Sequence, residues 1–274
     1  MRGLSGGFYV STSMRLERLQ ESLCTRRFGK RVLYSRVVGS TSDWAKELAR
    51  LGAEEGTVTL AQTQTAGRGR LERRWVSPRG GLWFSIVLRP KWKACEAVRL
   101  VFLAGLAVAE LLHEKYGLRT ETKWPNDILV NGKKICGVLA EMNTKGEDVN
   151  YAVVGVGLNA NFCADDALSG SVKMNATSIE RELGRRVRLE SLLEALLEKM
   201  EKMYYESANS GLAPILERWK TYAEFLGHEV VVSDQEERLR GLALDVDPDG
   251  ALILKLKDGR TKQIIVGDIT FFRK

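Results

Sequence analysis

The stretch from Gln62 to Pro78, QTQTAGRGRLERRWVSP, places four arginines (Arg68, Arg70, Arg73 and Arg74) on and after a pair of glycines, Gly67 and Gly69. Glycine lets a backbone approach an anion and present its N–H groups, while a guanidinium grips phosphate or carboxylate oxygens through two parallel hydrogen bonds. Together they describe a flexible cationic clamp, against the blander reading of a solvated basic turn. Two other segments favour the clamp. In KWPND, Lys123 precedes Trp124 and Pro125, poor surface residues that would hold its ammonium rigidly where negative charge develops in a reaction. In GVGLNAN, Gly155 and Gly157 follow the apolar run YAVV and match the G-x-G-x-x-A form of a dinucleotide fingerprint. The following NFCADDALSGS has no helical stripe, so these glycines read instead as places where a ligand or another strand comes close. No G-x-x-x-x-G-K-[ST] occurs, which excludes a P-loop.

Scarcity narrows the chemistry further. The chain has two histidines, His113 inside a helical pattern and His228 after Gly227, which reads as a helix end. Ser–His and Cys–His nucleophilic mechanisms, and metals held by histidine, therefore have little to work with. Cys24, Cys95, Cys136 and Cys163 form no C-x-x-C pair and sit mostly in apolar surroundings, so they read as reduced structural thiols.

Secondary structure must place the clamp, the lysine and the glycines around one space. The pattern predicts a helix over Asp43 to Leu51, strands TVTLAQT and GLWFSIVLRP flanking the arginine loop, and a long helix from about Ala97 to Tyr116. Strand ETKW comes next, followed by the hairpin DILVNGKKICGVLAEM turning at Asn131-Gly132 and strand NYAVVGVGLNANF. Two amphipathic helices close the large unit: Leu189, Leu192, Leu193, Leu196, Leu197 and Met200 stripe the first, and Pro214 stands near the start of the second. From Gly227 the pattern changes to short strands joined by DPDG and DG turns, which suggests a small β-barrel. The expected fold is α+β: residues 31–226 a large catalytic domain with a mixed or antiparallel sheet and packed helices, and 227–274 a small C-terminal barrel. Residues 1–30, with a short helix candidate at Met14 to Leu23, form an extension of unknown role.

With 274 residues, 44% of them hydrophobic, the chain can bury a full-sized core. The net charge of +7 favours an anionic partner without choosing which. No secretory or membrane-spanning run is visible, so the expected location is the cytoplasm with no membrane partner.

In this order the segments resemble the biotin protein ligases. The matching residues are GSTS at 39–42, QTQTAGRGRLERRWVSP, GLWFSIVLRP, KWPNDILVNGKKICGVLAE, VVGVGLNAN, ATSI at 176–179 and the tail VGDI. The resemblance runs from about residue 31 to the C-terminus. It implies ATP-dependent activation of biotin to biotinyl-5'-AMP, then transfer of biotin to one lysine of a biotin carboxyl carrier protein, with Mg²⁺ screening the triphosphate. The need for no enzyme nucleophile agrees with the scarcity of histidine. Carried over residue by residue, Ser40, Thr41, Gln64, Gly67, Arg68, Lys123, Gly137, Gly155 and Gly157 line the biotin pocket. Arg68, Arg70, Arg73, Trp75, Lys123, Asn126 and Asn159 fall to the nucleotide, with Trp75 packing under the loop. Lys123 is the foremost catalytic candidate and Arg70 the second. No metal ligands follow, although Asp127 is nearest the motif. Glu72 stands where the family commonly has glycine. The residues before the large domain are too few for a helix-turn-helix domain, so no specific DNA partner is expected, while a homodimer is. The rivals are a lipoate or octanoate ligase or transferase of the same fold and, in a different class, a nucleic-acid-binding module.

Overall fold

The computed structural model describes residues 21–71, 73–97, 99–162, 175–233 and 237–271. Glu72, Cys163 and the first part of the N-terminal helix candidate lie outside them.

A seven-stranded sheet is formed by β1 (Val32–Val38), β2 (Val58–Gln64), β3 (Leu82–Leu88), β4 (Thr120–Lys123), β5 (Asp127–Val130), β6 (Lys133–Lys145) and β7 (Asp148–Leu158), in the order β1-β2-β3-β7-β6-β5-β4. β1 and β2 pair in parallel and every other neighbouring pair is antiparallel. A parallel pair needs a crossover, supplied by helix α1 (Thr41–Arg50). The hairpin between β5 and β6 turns at Asn131 and Gly132 with φ of 52° and 73°, the left-handed pair a two-residue connection requires.

All seven residues of β3 are buried, because both faces of the sheet are covered. Successive side chains alternate between faces. Val87 and Val153 pack with Ala45 and Ala49 of α1 on one side. Ile86, Leu88, Val154 and Val156 belong to the main core on the other, with helices α2 (Ala94–Ala97), α3 (Leu100–Tyr116), α5 (Leu189–Ser210) and α6 (Ala213–Lys220). A short helix, α4 (Ile179–Leu183), starts where the Ser178 side chain accepts the Arg181 N–H. Residues 21–30, set apart in the sequence reading, send Leu23 and Phe28 into the main core. The buried carboxylate of Glu201 accepts the N–H groups of Arg26, Arg27 and Phe28 at 2.6, 2.7 and 2.8 Å.

The C-terminal unit comprises β8 (Glu229–Ser233), β9 (Arg238–Val246), β10 (Leu252–Leu256), β11 (Thr261–Ile264) and β12 (Asp268–Phe271), an antiparallel sheet in the order β11-β10-β9-β8-β12. The expected α+β class is therefore found, with the C-terminal part as a five-stranded antiparallel sheet. Its DPDG turn docks onto the large unit. Trp124 Nε1 donates to the Gly250 carbonyl at 2.9 Å, and a Cβ on Gly250 would stand 2.7 Å from the Phe102 ring.

Four expectations are corrected. The long helix begins at Leu100, after the separate turn of α2. Gly227 ends no helix: α6 stops at Lys220, and Gly227, at φ 79°, lies in the turn into β8. Strand β1 was not anticipated, since four of its seven residues are only partly buried before two exposed ones and no alternation marks it. Of the cysteines described, Cys136 is buried, but Cys24 and Cys95 are exposed. No helix among the described residues is long and apolar enough to cross a membrane.

Candidate functional site

Strand register assembles the floor of a cavity of about 870 Å³ on the α1 face of the sheet. Trp83 pairs with Gly157, Gly157 with Gly137, Gly137 with Asp127 and Asp127 with Lys123. Paired residues point to the same face, so this row crosses five strands with a tryptophan at one end, a lysine at the other, and two glycines and Asp127 between. The next row holds Ser85, Gly155 and Leu139. A Cβ on Gly155 would lie 2.5 Å from Ser42 Oγ, and one on Gly157 would lie 2.6 Å from the Trp75 indole nitrogen, closer than real contacts allow.

Over the adjacent row of Ser85 and Gly155 the N-terminus of α1 supplies Ser40, Thr41 and Ser42. Ser40 caps the helix by accepting the Asp43 N–H at 3.3 Å. Gln64 Oε1 accepts from the Thr41 N–H at 2.7 Å and the Thr41 hydroxyl at 3.1 Å, while its Nε2 donates to Ser77 Oγ at 2.8 Å, which also fixes the amide orientation. Ser85 Oγ donates to Thr41 Oγ1 at 2.9 Å and lies 3.1 Å from Ser42 Oγ. These hydroxyls form a preorganised polar patch suited to a ligand with donors and acceptors at one end.

The arginine loop forms the facing wall. It folds back on itself through an Arg68–Arg74 bridge, with Gly69 N–H donating to the Arg73 carbonyl at 2.7 Å and Trp75 N–H to that of Gly67 at 2.8 Å. Arg68 makes a two-pronged contact with Glu141 and lies 3.0 Å from Asp43. Arg70 donates to the Gly267 carbonyl at 3.1 Å and lies 3.8 Å from Asp268, while Arg73 lies 2.6 Å from the same carboxylate. Burial lowers the Arg70 pKa from its ordinary value, opposed by the nearby charges of Asp268 and Asp127. Arg74 donates to the Thr65 carbonyl at 3.2 Å.

Lys123 stands apart. Its ammonium has no hydrogen bond or ion pair with any described residue, although it lines the cavity. Neighbouring Trp124 is buried, which anchors the lysine from behind. Asp127 is ion-paired with Lys134 at 2.6 Å, and Lys134 Nζ also lies 4.9 Å from the centroid of the Trp75 ring. Trp75 packs edge-on to Trp83 with centroids 6.3 Å apart, and its buried Nε1 has no partner among the described residues. It therefore packs under the loop and lines the cavity at once. Asn126 donates to the Val138 carbonyl at 2.8 Å, and buried Asn159 donates to that of Thr177 at 2.9 Å, so both amides brace walls that they also line.

Of the residues singled out in the sequence, Ser40, Thr41, Gln64, Arg68, Arg70, Arg73, Trp75, Lys123, Asn126, Gly137, Gly155, Gly157 and Asn159 line this one cavity. Gly67 does not. A Cβ there would meet the Trp75 carbonyl at 2.5 Å, so its missing side chain lets the loop close on itself. Sequence reasoning missed Ser85, Lys134, Glu141 and Asp268. All four lie in segments that carry the family resemblance, Ser85 in GLWFSIVLRP, Lys134 and Glu141 in KWPNDILVNGKKICGVLAE and Asp268 in VGDI, but inside strand runs that read as packing or at a turn with no chemistry of its own. Buried Cys136, whose thiol pKa is pushed well up by burial, is no nucleophile.

Comparison with known proteins places this cavity in context. Residues 34–159 match the family described as Biotin/lipoate A/B protein ligase, and residues 225–271 match the Biotin protein ligase C terminal domain. The bifunctional ligase/repressor BirA of Bacillus subtilis is 36% identical over 248 residues, 90% of this chain and 76% of that protein. A biotin–[acetyl-CoA-carboxylase] ligase of Paracoccus denitrificans is 35% identical, covering 85% of this chain and 97% of its own. Among solved structures, the biotin protein ligase of Aquifex aeolicus in complex with biotin and ATP superposes with a TM-score of 0.76 at 27% identity, covering 89% of this chain and all of that one. The chain belongs to the biotin protein ligase family.

Proposed function

We propose that this chain joins biotin to ATP and hands the activated biotin to a lysine of a biotin carboxyl carrier protein. The observation that carries the reading is the row from Trp83 to Lys123: two glycines under the Trp75 indole, a patch of hydroxyls over the adjacent Ser85–Gly155 row, an ammonium without an ion pair among the described residues at the far end, and guanidinium groups lining the same cavity. On this reading an apolar bicyclic acid lies in the cavity with its polar head on the hydroxyl patch and its carboxylate toward Lys123. In the first step a biotin carboxylate oxygen attacks the α-phosphorus of ATP and pyrophosphate leaves. Lys123, at the end of β4 and without an ion pair among the described residues, offsets charge building on the carboxylate and α-phosphate in the transition state. In the second step the neutral ε-amine of the carrier lysine attacks the acyl carbon, AMP leaves, and the nitrogen loses a proton.

Ser40, Thr41, Gln64, Gly137, Gly155 and Gly157 form the biotin side of the reading. Arg68 faces the junction, while Arg70, Arg73, Trp75, Asn126 and Asn159 face the nucleotide. Among the described residues no group of three or more His, Cys, Asp or Glu stands together. Mg²⁺ carried in on a triphosphate needs only one or two protein carboxylates, and Asp127, lining the cavity beside Lys123, fits that need. Bound there, the ion would screen phosphate charge. A homodimer formed through the large sheet, with no specific DNA partner, completes the reading; light scattering at several concentrations checks the first. The activity is tested by pyrophosphate release from ATP. Release should depend on biotin and not on lipoate or octanoate, and release supported equally by lipoate would move the chain to the rival specificity.

A further inference from the structure

We infer that Asp268 is a placeholder anion: its carboxylate engages Arg70 and Arg73 from the C-terminal sheet, and a nucleotide must take both arginines from it, which makes the loop selective for polyanions. The inference rests on the biotin-and-ATP reading and adds a positioning residue to it. Arg73 lies 2.6 Å from one carboxylate oxygen of Asp268 and Arg70 lies 3.8 Å from the other, with Arg70 also donating to the preceding carbonyl, that of Gly267. Asp268 cannot follow the loop, because it begins β12 and is paired with Ser233 of β8. It lines the same cavity as both arginines. The Arg70 and Asp268 side chains are only 21% and 25% exposed, so solvent screens that contact less than it screens Arg73, at 63%.

An incoming anion therefore meets two guanidinium groups already compensated, and a fixed negative charge among them. A small anion such as inorganic phosphate gathers its one to two charges on a single centre and spans too little to displace the carboxylate from both arginines. A triphosphate brings several charges on oxygens spaced widely enough to reach both arginines, so it exchanges where inorganic phosphate does not. The cost of exchange weakens ATP binding relative to a loop without Asp268, and the gain is rejection of small anions.

Asp268→Asn keeps the shape while removing the charge and turning one acceptor oxygen into a donor, and the β12 backbone pairing does not depend on the side chain. The variant should show a KM for ATP about three- to tenfold lower, as expected for removing partly exposed ion pairs, with a smaller change in kcat. It should also be inhibited by inorganic phosphate at concentrations that leave wild type unaffected. Without ligands, trypsin should cleave its loop faster. Asp268→Glu, which retains the charge, should remain near wild type in all three measurements. A KM for ATP that is unchanged or raised in Asp268→Asn overturns the inference, a rise pointing instead to a carboxylate that assists the nucleotide, for example through Mg²⁺. Wild type that releases no pyrophosphate with biotin would instead remove the reading on which the inference stands.

Discussion

The floor and the wall of the cavity hold their cations in opposite ways. On the floor, Lys123 ends a strand, is backed by buried Trp124 and meets no anionic partner among the described residues. On the wall, Arg68 sits on Glu141 and Asp43, while Arg70 and Arg73 sit on Asp268. A fixed, uncompensated charge can act on a reacting group without first giving up a partner, which is what stabilising a transition state demands. A compensated charge on a loop must exchange one anion for another, which suits capture and retention. Three of the four arginines are thus held on carboxylates, and Arg74 on a backbone carbonyl. On the proposed reading chemistry belongs to the floor and retention to the wall, a division open to test.

The largest effect should come from the floor. Lys123→Ala should lower the rate of biotinyl-AMP formation by about 10²- to 10³-fold, the range for losing one preorganised charge-stabilising group. Stability should hardly change, since the ammonium makes no contact that folding relies on. Pyrophosphate release in a single turnover measures the first and thermal unfolding the second. Near-normal release would break the division at its main point.

Arg70→Gly should act on the wall alone. Biotinyl-AMP is a mixed anhydride that acylates exposed amines, so an enzyme with one target must retain it until the carrier arrives. Losing the charge-assisted hydrogen bonds of Arg70 should speed release of the adenylate by about ten- to a hundredfold, with formation slowed far less. Label appearing on albumin incubated with the variant, biotin, ATP and Mg²⁺ reports the leak. If adenylate forms at a comparable rate and albumin stays unlabelled, retention lies with Arg68 or Arg73.

How far this division could be read from sequence depends on the distance over which each feature is built. The Asn131-Gly132 turn, the glycines of GVGLNAN and the lysine of KWPND are local signals, and register then brings Gly157, Gly137, Asp127 and Lys123 into one row. The partners of the arginines are not local. Glu141 is 73 residues from Arg68 and the Gly267–Asp268 corner 197 from Arg70, and nothing in either neighbourhood announces the pairing. The same holds for residues 21–30, whose place in the fold depends on Glu201, more than 170 positions away. Edge strand β1 was missed for another reason: being half exposed, it lacks the apolar alternation that marks a strand.

A smaller effect follows for the loop as a whole. Its own backbone bonds are few, so its order depends on the ion pairs that bind it to α1, β6 and β12. Biotin with ATP should replace these by more numerous contacts and slow tryptic cleavage after Arg68, Arg70, Arg73 and Arg74 several-fold. Mass spectrometry of early fragments checks the sites. Equal cleavage with and without ligands would mean that the wall does not close.

The smallest effect separates the two ends of the floor from the wall. Ser40 accepts the Asp43 N–H at the start of α1, and its replacement by alanine leaves that donor without its cap, which costs about 1 kcal/mol. For a chain of this length that corresponds to a fall in Tm of roughly two to four degrees. Ser40 also lines the cavity beside Thr41, whose N–H and hydroxyl are already held by Gln64. The polar patch should therefore keep most of its geometry, and KM for biotin should rise only a few-fold. KM for ATP should stay put, because no arginine of the loop bonds to Ser40. Steady-state kinetics with each substrate varied in turn decides it: equal rises in both constants would show that the helix terminus and the loop move as one body, and floor and wall would no longer be separable.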